Sequence, residues 1–279
     1  MKPPRRKFLH LAAGAAALPA VSPMAWAQAY PSRPVRLIVP VAAGGSTDVA
    51  ARAIGEYLSR SFGQIYVENR GGAGGVIGIE AAAKSAPDGY TVLVSTDRVA
   101  SAPHVLKMNV DPIKGVGTQQ HFVAEWFGKI AGIKVEHVPY RGGGQAINDL
   151  IAGHVKVGSL GSTPVIPHYK AGTLRVLAQS TEARSASLPE VPTYQEAGIK
   201  GLVLDQWIGV FVPKGTSAAI STRLNAEINK ALADTVIRES LAQQAQEPVG
   251  GSIEQFSRLV HEDFDKYAKL AQELNIKAD

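Results

Sequence analysis

Residues 35–54 read VRLIVPVAAGGSTDVAARAI, and this stretch decides the fold. Val35–Val39 is a nearly continuous apolar, β-branched run of the kind found in strands whose two faces are both buried. Ala42-Ala43-Gly44-Gly45 interrupts it. Ser46-Thr47-Asp48 then opens a helical pattern whose apolar side carries Ala50, Ala53, Ile54, Tyr57 and Leu58. Ser46 is the expected N-cap, and Asp48 in the first turn suits the helix dipole. Strand, glycine turn and helix make the opening half of a βα unit. Its two glycines and the positive helix end can seat an anion on backbone N–H groups without any cationic side chain. Open α/β sheets place ligands at this end of the strand. A plain tight turn capped by Ser46 accounts for the same residues, so the loop alone leaves both readings standing.

The same alternation continues along the chain. Strands are expected at Val35–Val39, Ile65–Glu68, Thr91–Ser95, Val135–Pro139, Val155–Ser159, Leu174–Gln179 and Trp207–Val212, with helical patterns between them. Ile220, Leu224, Ile228 and Leu232 form one apolar stripe. Ser252 with Gln255 has the spacing of a capping box before a last helix carrying Phe256, Val260, Phe264 and Tyr267. Residues 100–117, ASAPHVLKMNVDPIKGVG, contain no convincing strand, and here the alternation misses a beat.

The N-terminus is of a different kind. Lys2, Arg5, Arg6 and Lys7 precede an apolar run from Leu9 to about Ala20, and Ala25-Trp26-Ala27 closes it. This is a secretory leader, with cleavage expected after Ala27 and the mature chain expected in the periplasm. The apolar run falls short of the ~20 residues a membrane span needs. Arg5-Arg6 resembles a twin-arginine signal, and an ordinary secretory leader with two arginines remains the alternative. The leader holds four of the 29 basic residues and none of the 24 acidic ones, which leaves 25 against 24 in the mature part. The basic balance therefore belongs to the leader and gives no reason to expect nucleic acid as a partner. Cysteine is absent, which removes disulfides, thiolate metal sites and thiol nucleophiles.

Residues with chemical potential form no catalytic set. The second glycine loop, Gly71-Gly72-Ala73-Gly74-Gly75-Val76-Ile77-Gly78, fails the dinucleotide fingerprint because Ile77 stands where the third glycine belongs. It also lacks the Gly-Lys-Ser/Thr of a P-loop. No G-x-S-x-G elbow occurs around Ser159. The histidines show no paired spacing with glutamate of the kind zinc hydrolases use. Neither a catalytic residue, a metal nor a cofactor is expected. Tyr140-Arg141-Gly142 follows a strand and offers a phenol, a guanidinium and backbone donors to a carboxylate, or else is a loop with an exposed arginine.

Taken in order, YPSRPVRLIVPVAAGGSTD, VENRGGAGGVIG, APDGYTVLVST, VPYRGGG, YKAGTLRVLAQSTEARSASLPEVPTYQEAG, WIGVFVPKGT and EPVGGSIEQF resemble the Bug family from about Tyr30 to the C-terminus. These are extracytoplasmic receptors of tripartite tricarboxylate transporters. The resemblance implies an α/β, periplasmic-binding-protein-like (type II) fold with two lobes and a ligand cleft. After the leader, 1–27, the first lobe would comprise 30–112 plus 210–279, and the second 116–206. It implies a small carboxylate as ligand, membrane components of the transporter as partners, a monomer, and no enzymatic activity. Carried over residue by residue, the ligand would meet Gly44, Gly45, Ser46, Thr47 and Asp48, then Gly74 and Gly75, then Ser95 and Thr96. From the second lobe it would meet Gly117, Thr118, Gln119, Tyr140, Arg141, Gly142, Ser159 and Ser162.

The chain departs from the family twice. Ser159-Leu160-Gly161-Ser162 stands where many members carry an aspartate, which argues against an amine-bearing ligand. Members also place a longer stretch between the motifs that here read Asp111-Pro112-Ile113-Lys114 and Gly115-Val116-Gly117-Thr118. That stretch supplies a strand and helix of the first lobe and a strand crossing into the second. Without it the first lobe is expected to be incomplete, since each buried, unpaired backbone group costs ~1–3 kcal/mol. A sensing or interaction module, or a degenerate receptor that no longer binds, is therefore the alternative function.

Overall fold

The computed structural model describes residues 30–105, 117–140 and 143–276. The leader, the stretch 106–116 and the pair Arg141-Gly142 lie outside the described residues.

A four-stranded sheet lies in the stretches expected to form the first lobe. Its strands are β1 (Val35–Val39), β2 (Ile65–Asn69), β3 (Thr91–Thr96) and β4 (Ile208–Phe211), in the order β2-β1-β3-β4. β1 runs parallel to β2 and β3, while β4 returns antiparallel to β3 with Leu93 opposite Phe211. Among the described residues both interior strands, β1 and β3, are thus paired on each side. Four of the five β1 residues are buried, as a strand covered on both faces requires.

Helices α1 (Ser46–Phe62), α2 (Val76–Ala83) and α3 (Arg98–Val105) follow β1, β2 and β3. Leu37, Val39, Val92 and Val94 pack against Ile54, Leu58 and Phe62 of α1. Leu224 of α7 (Ala218–Ala233) closes that core. α8 (Thr235–Gln243) and α9 (Ile253–Glu273) complete the chain. The capping box of α9 is formed in both directions between Ser252 and Gln255.

The stretch expected to form the second lobe holds α4 (Gln119–Ala131), α5 (Gly143–Ile151) and α6 (Ser162–Lys170). Phe122 and Val123 of α4 share a core with Ala100 and Val105 of α3, Leu202, Leu204 and Tyr267 of α9. The expected strands at Val135–Pro139, Val155–Ser159 and Leu174–Gln179 do not form a sheet. Among the described residues no backbone hydrogen bond reaches 134–140, 156–161 or 175–178, and a single bridge joins Gln179 to Thr193. Ile133, Val138, Val157 and Leu177 are left exposed. Each segment has the apolar alternation of a strand, but a strand is stable only beside a partner.

Candidate functional site

The loop after β1 is built around a buried carboxylate. Asp48 is 2% exposed and accepts three hydrogen bonds: from the N–H of Gly44 at 2.9 Å, from Nε of Arg52 at 3.0 Å and from Nδ2 of Asn69 at 2.9 Å. Burial pushes this carboxyl up, but the hydrogen bonds from Arg52, Gly44 and Asn69 outweigh it and hold it below its ordinary range. Asn69 also donates to the Val41 carbonyl at 3.1 Å, tying β2 to the loop. Asp48 therefore shapes the loop from beneath. The N-cap is Gly45, in extended conformation, and Ser46 occupies the first helical position, one residue beyond the expected cap. Ala42 to Gly45 are exposed. The N–H groups of Ser46, Thr47 and Asp48 have no backbone acceptor among the described residues, as expected of a helix's first turn. The head of α1 thus adjoins an exposed glycine loop.

The second glycine loop lies directly beside it. A Cβ on Gly71 would stand 3.5 Å from the Ala42 nitrogen, and one on Gly75 3.2 Å from the Pro40 oxygen. Gly74 and Gly75 both have positive φ, which favours glycine. The Gly74 carbonyl accepts from Nε of Arg98 at 2.8 Å. At the end of β3, Thr96 Oγ1 accepts from the N–H of Arg98 at 3.2 Å. Ser95 is wholly buried. It pairs with Gly209 of β4, whose Cβ position lies against the Phe256 ring, so the Ser95 side chain is on the sheet face that α9 covers.

From the second lobe, Gly117 donates its N–H to Nδ1 of His121 at 3.0 Å, and its carbonyl accepts from Ser101 at 3.1 Å. Thr118 caps α4. Gln119 donates to the Leu204 carbonyl and the Ser180 hydroxyl. The Tyr140 hydroxyl donates to Asp149 at 2.8 Å within its own lobe. Arg141 and Gly142 lie outside the described residues. Ser159 is half-buried, and Ser162 opens α6 behind its N-cap Gly161. A Cβ on Gly161 would stand 3.7 Å from Oε1 of Gln206 and 3.9 Å from Nε2 of Gln120.

One segment connects the two helix ends. Gln246 donates to the Ser46 carbonyl at 2.9 Å, and Thr163 donates to the Gln244 carbonyl at 2.7 Å. The N-termini of α1 and α6 thus sit on either side of residues 244–246. Among the described residues no cluster could hold a metal ion, and no helix is long and apolar enough to cross a membrane.

A family model described as "Tripartite tricarboxylate transporter family receptor" matches residues 50–117 and 113–276. The chain belongs to that family. The two matched stretches meet where the chain is short. BugT of Bordetella pertussis is 33% identical, covering 90% of this chain and 92% of that one, and the alignment runs over 300 positions against the 279 residues here. Solved structures of similar fold include an R. palustris protein, Rpa4515, with adipate: TM-score 0.80, 27% identity, 88% of this receptor and 99% of that chain. Another is MatC of Rhodopseudomonas palustris with bound malate: TM-score 0.74, 25% identity, 86% of this receptor and 99% of that chain. The receptor has the two-lobed periplasmic-binding-protein fold of these neighbours, and its family is one of periplasmic solute-binding receptors.

Four residues that shape the site escaped the sequence reading: Asn69, Asp97, Arg98 and Gln246. The pair Asp97-Arg98 carried a signal, because two charges directly after a buried apolar strand must be accommodated at its end. Asp97 is buried against Tyr267, whose hydroxyl donates to it. Burial is the main cause that pushes its carboxyl up, to about 6.

Proposed function

We propose that this receptor captures a small carboxylate, a di- or tricarboxylate or related organic acid, outside the cytoplasmic membrane. It hands the ligand to the membrane components of a tripartite tricarboxylate transporter and performs no chemistry on it. The leader would be cleaved after Ala27 to release residues 28–279 into the periplasm. The observation that carries the reading is the exposed glycine loop at the head of α1, where the first-turn N–H groups have no backbone acceptor among the described residues and buried Asp48 holds the N–H of Gly44, next to a second glycine loop. The adipate and malate in the two neighbours support a carboxylate as the ligand class. Gly44 to Asp48, Gly74, Gly75 and Thr96 would contribute from the first lobe. Gly117, Thr118, Tyr140, Arg141, Gly142, Ser159 and Ser162 would contribute from the second. The proposal keeps Ser95 and Gln119 as supports behind the site.

Thermal unfolding of residues 28–279 with mono-, di- and tricarboxylates tests this. A ligand present at 100 times its Kd adds about 2.7 kcal/mol, which for a domain of this size raises Tm by roughly 5–10 °C. Asp48→Ala, which releases Gly44, is expected to weaken the response by at least about tenfold in Kd. A cooperatively folding sample that no acid stabilises would sink the reading. The unpaired segments of the second lobe favour one rival, a sensing module or degenerate receptor that no longer binds. That rival predicts a broad, non-cooperative transition indifferent to acids.

A further inference from the structure

We infer that residues 133–137 are a docking edge for a second copy of this chain. The two segments pair antiparallel across a two-fold axis, with Val135 opposite Val135 and Lys134 opposite Glu136. This association is separate from the carboxylate reading and needs no ligand.

The segment is a strand backed by a helix but lacking a neighbour. Val135 packs against Gly128 and the His137 ring stacks on His121, and both partners belong to α4. Lys134 and Glu136, on the alternate positions, are exposed. Among the described residues no backbone hydrogen bond reaches 134–140. The N–H of Ile133 is already taken, because it donates to the Gly128 carbonyl at 3.0 Å. That fixes the ladder: the hydrogen-bonded pairs are Lys134 with Glu136 of the second copy, and the same pair again by symmetry, each exchanging both N–H···O bonds. Val135 then meets its own copy in the closer, non-hydrogen-bonded position, and Ile133 lies opposite His137. A pair of strands needs packing behind it, and α4 of each copy supplies that.

Charge selects both the occupant and the register. Lys134 and Glu136 flank Val135 with opposite signs, so the segment is its own complement. Registers that keep both α4 helices on one face of the pair differ by two residues. One neighbouring register sets Glu136 opposite Glu136, and the other sets Lys134 opposite Lys134; like charges directly opposite repel. A further shift leaves Lys134 facing Tyr140 and Glu136 facing Val138, with neither charge matched. Apolar surface adds to the edge, since Ile133 is 52% and Val138 50% exposed. The paired stretch is short, so the association is weak, with a Kd of about 0.1 mM or above, and dilute samples are monomeric.

Light scattering on residues 28–279 without ligand, from about 10 µM to about 1 mM, tests this. The mean mass of the native chain is expected to climb from that of a monomer toward that of a dimer. Lys134→Glu and Glu136→Lys each set like charges opposite one another at both symmetric pairs, and each is expected to weaken the dimer about tenfold or more. An equimolar mixture of the two variants restores opposite charges and should dimerise again. So should the double variant Lys134→Glu/Glu136→Lys, whose net charge equals the native one. Both positions are exposed, so each variant should unfold as cooperatively as the native chain. A native chain that stays monomeric throughout overturns the inference. A dimer that neither single variant weakens overturns it too, because another face then makes the contact. Failure of the double variant to regain the dimer rules out the register.

Discussion

His121 holds the entry to the second lobe through a proton it lacks. Its Nδ1 accepts the N–H of Gly117, its ring stacks on His137 with centroids 3.9 Å apart, and Nε2 lies 3.7 Å from Glu125. Burial, with the neighbouring His137 and Arg98, lowers its pKa to about 4. Burial likewise lowers His137 and raises Glu125. Because the folded value lies below the ordinary 6.5, the unfolded chain takes the proton first as pH falls. The stability tied to neutral His121 is complete above pH 6.5 and drains away toward pH 4. Asp97 works in the opposite sense: its raised value, about 6 against 3.8, favours the folded state at low pH and costs stability as pH rises through 6. His121→Gln keeps an acceptor for Gly117 and removes the titration. Relative to the native receptor, the variant is expected to gain roughly 2–3 kcal/mol between pH 7 and pH 4, read from urea unfolding at both values. Parallel pH curves for the two proteins would show that His121 is solvated in solution. None of this was legible in the sequence, where His121 was one of several unremarkable histidines. Asp48 shows the same limit: its place in a first helical turn was readable, but its three donors come from Gly44, Arg52 and Asn69, and one of them is on another strand.

Elements separate by where their partners come from. β1 was placed at its observed ends, because a buried apolar run between Pro34 and Pro40 admits few alternatives, and β2 and β3 run one residue past the expected ones. The α9 capping box was readable because its two partners lie three residues apart. In the second lobe the same pattern misled. Alternation marks which face of a segment is apolar, but it does not supply the neighbouring strand, and here Val135 packs on Gly128 and His137 on His121 while no backbone hydrogen bond reaches 134–140 among the described residues. Hydrogen exchange tests this contrast. Amides of 134–140, 156–161 and 175–178 are expected to exchange at close to unprotected rates, whereas those of Leu37, Ile38, Val92 and Leu93 exchange only on global unfolding. Protection of the second-lobe segments equal to that of β1 would mean that they pair in solution.

At the scale of the whole molecule, the question is what holds the two helix ends, of α1 and α6, at a fixed spacing. The sequence implied a cleft through family resemblance, and it left open what spans that cleft. Residues 244–246 are the physical candidate. Gln246 holds the Ser46 carbonyl at the head of α1, and Thr163 at the head of α6 holds the Gln244 carbonyl. Ala245 between them adopts positive φ and packs beside Ile166, Leu188 and Val191, so the segment is held in one conformation. If this segment sets the spacing of the two helix ends, cutting either bond frees the same motion, and cutting the second adds little. Gln246→Ala and Thr163→Val each remove one donor and should cost about 0.5–1.5 kcal/mol of stability. In ligand binding their effects are expected to be less than additive, with a coupling of more than about 0.5 kcal/mol in a double-mutant cycle on the Kd of the best diacid. Strict additivity would mean that the two bonds act separately, and that the lobes are coupled instead through the shared packing of Phe122, Leu204 and Tyr267.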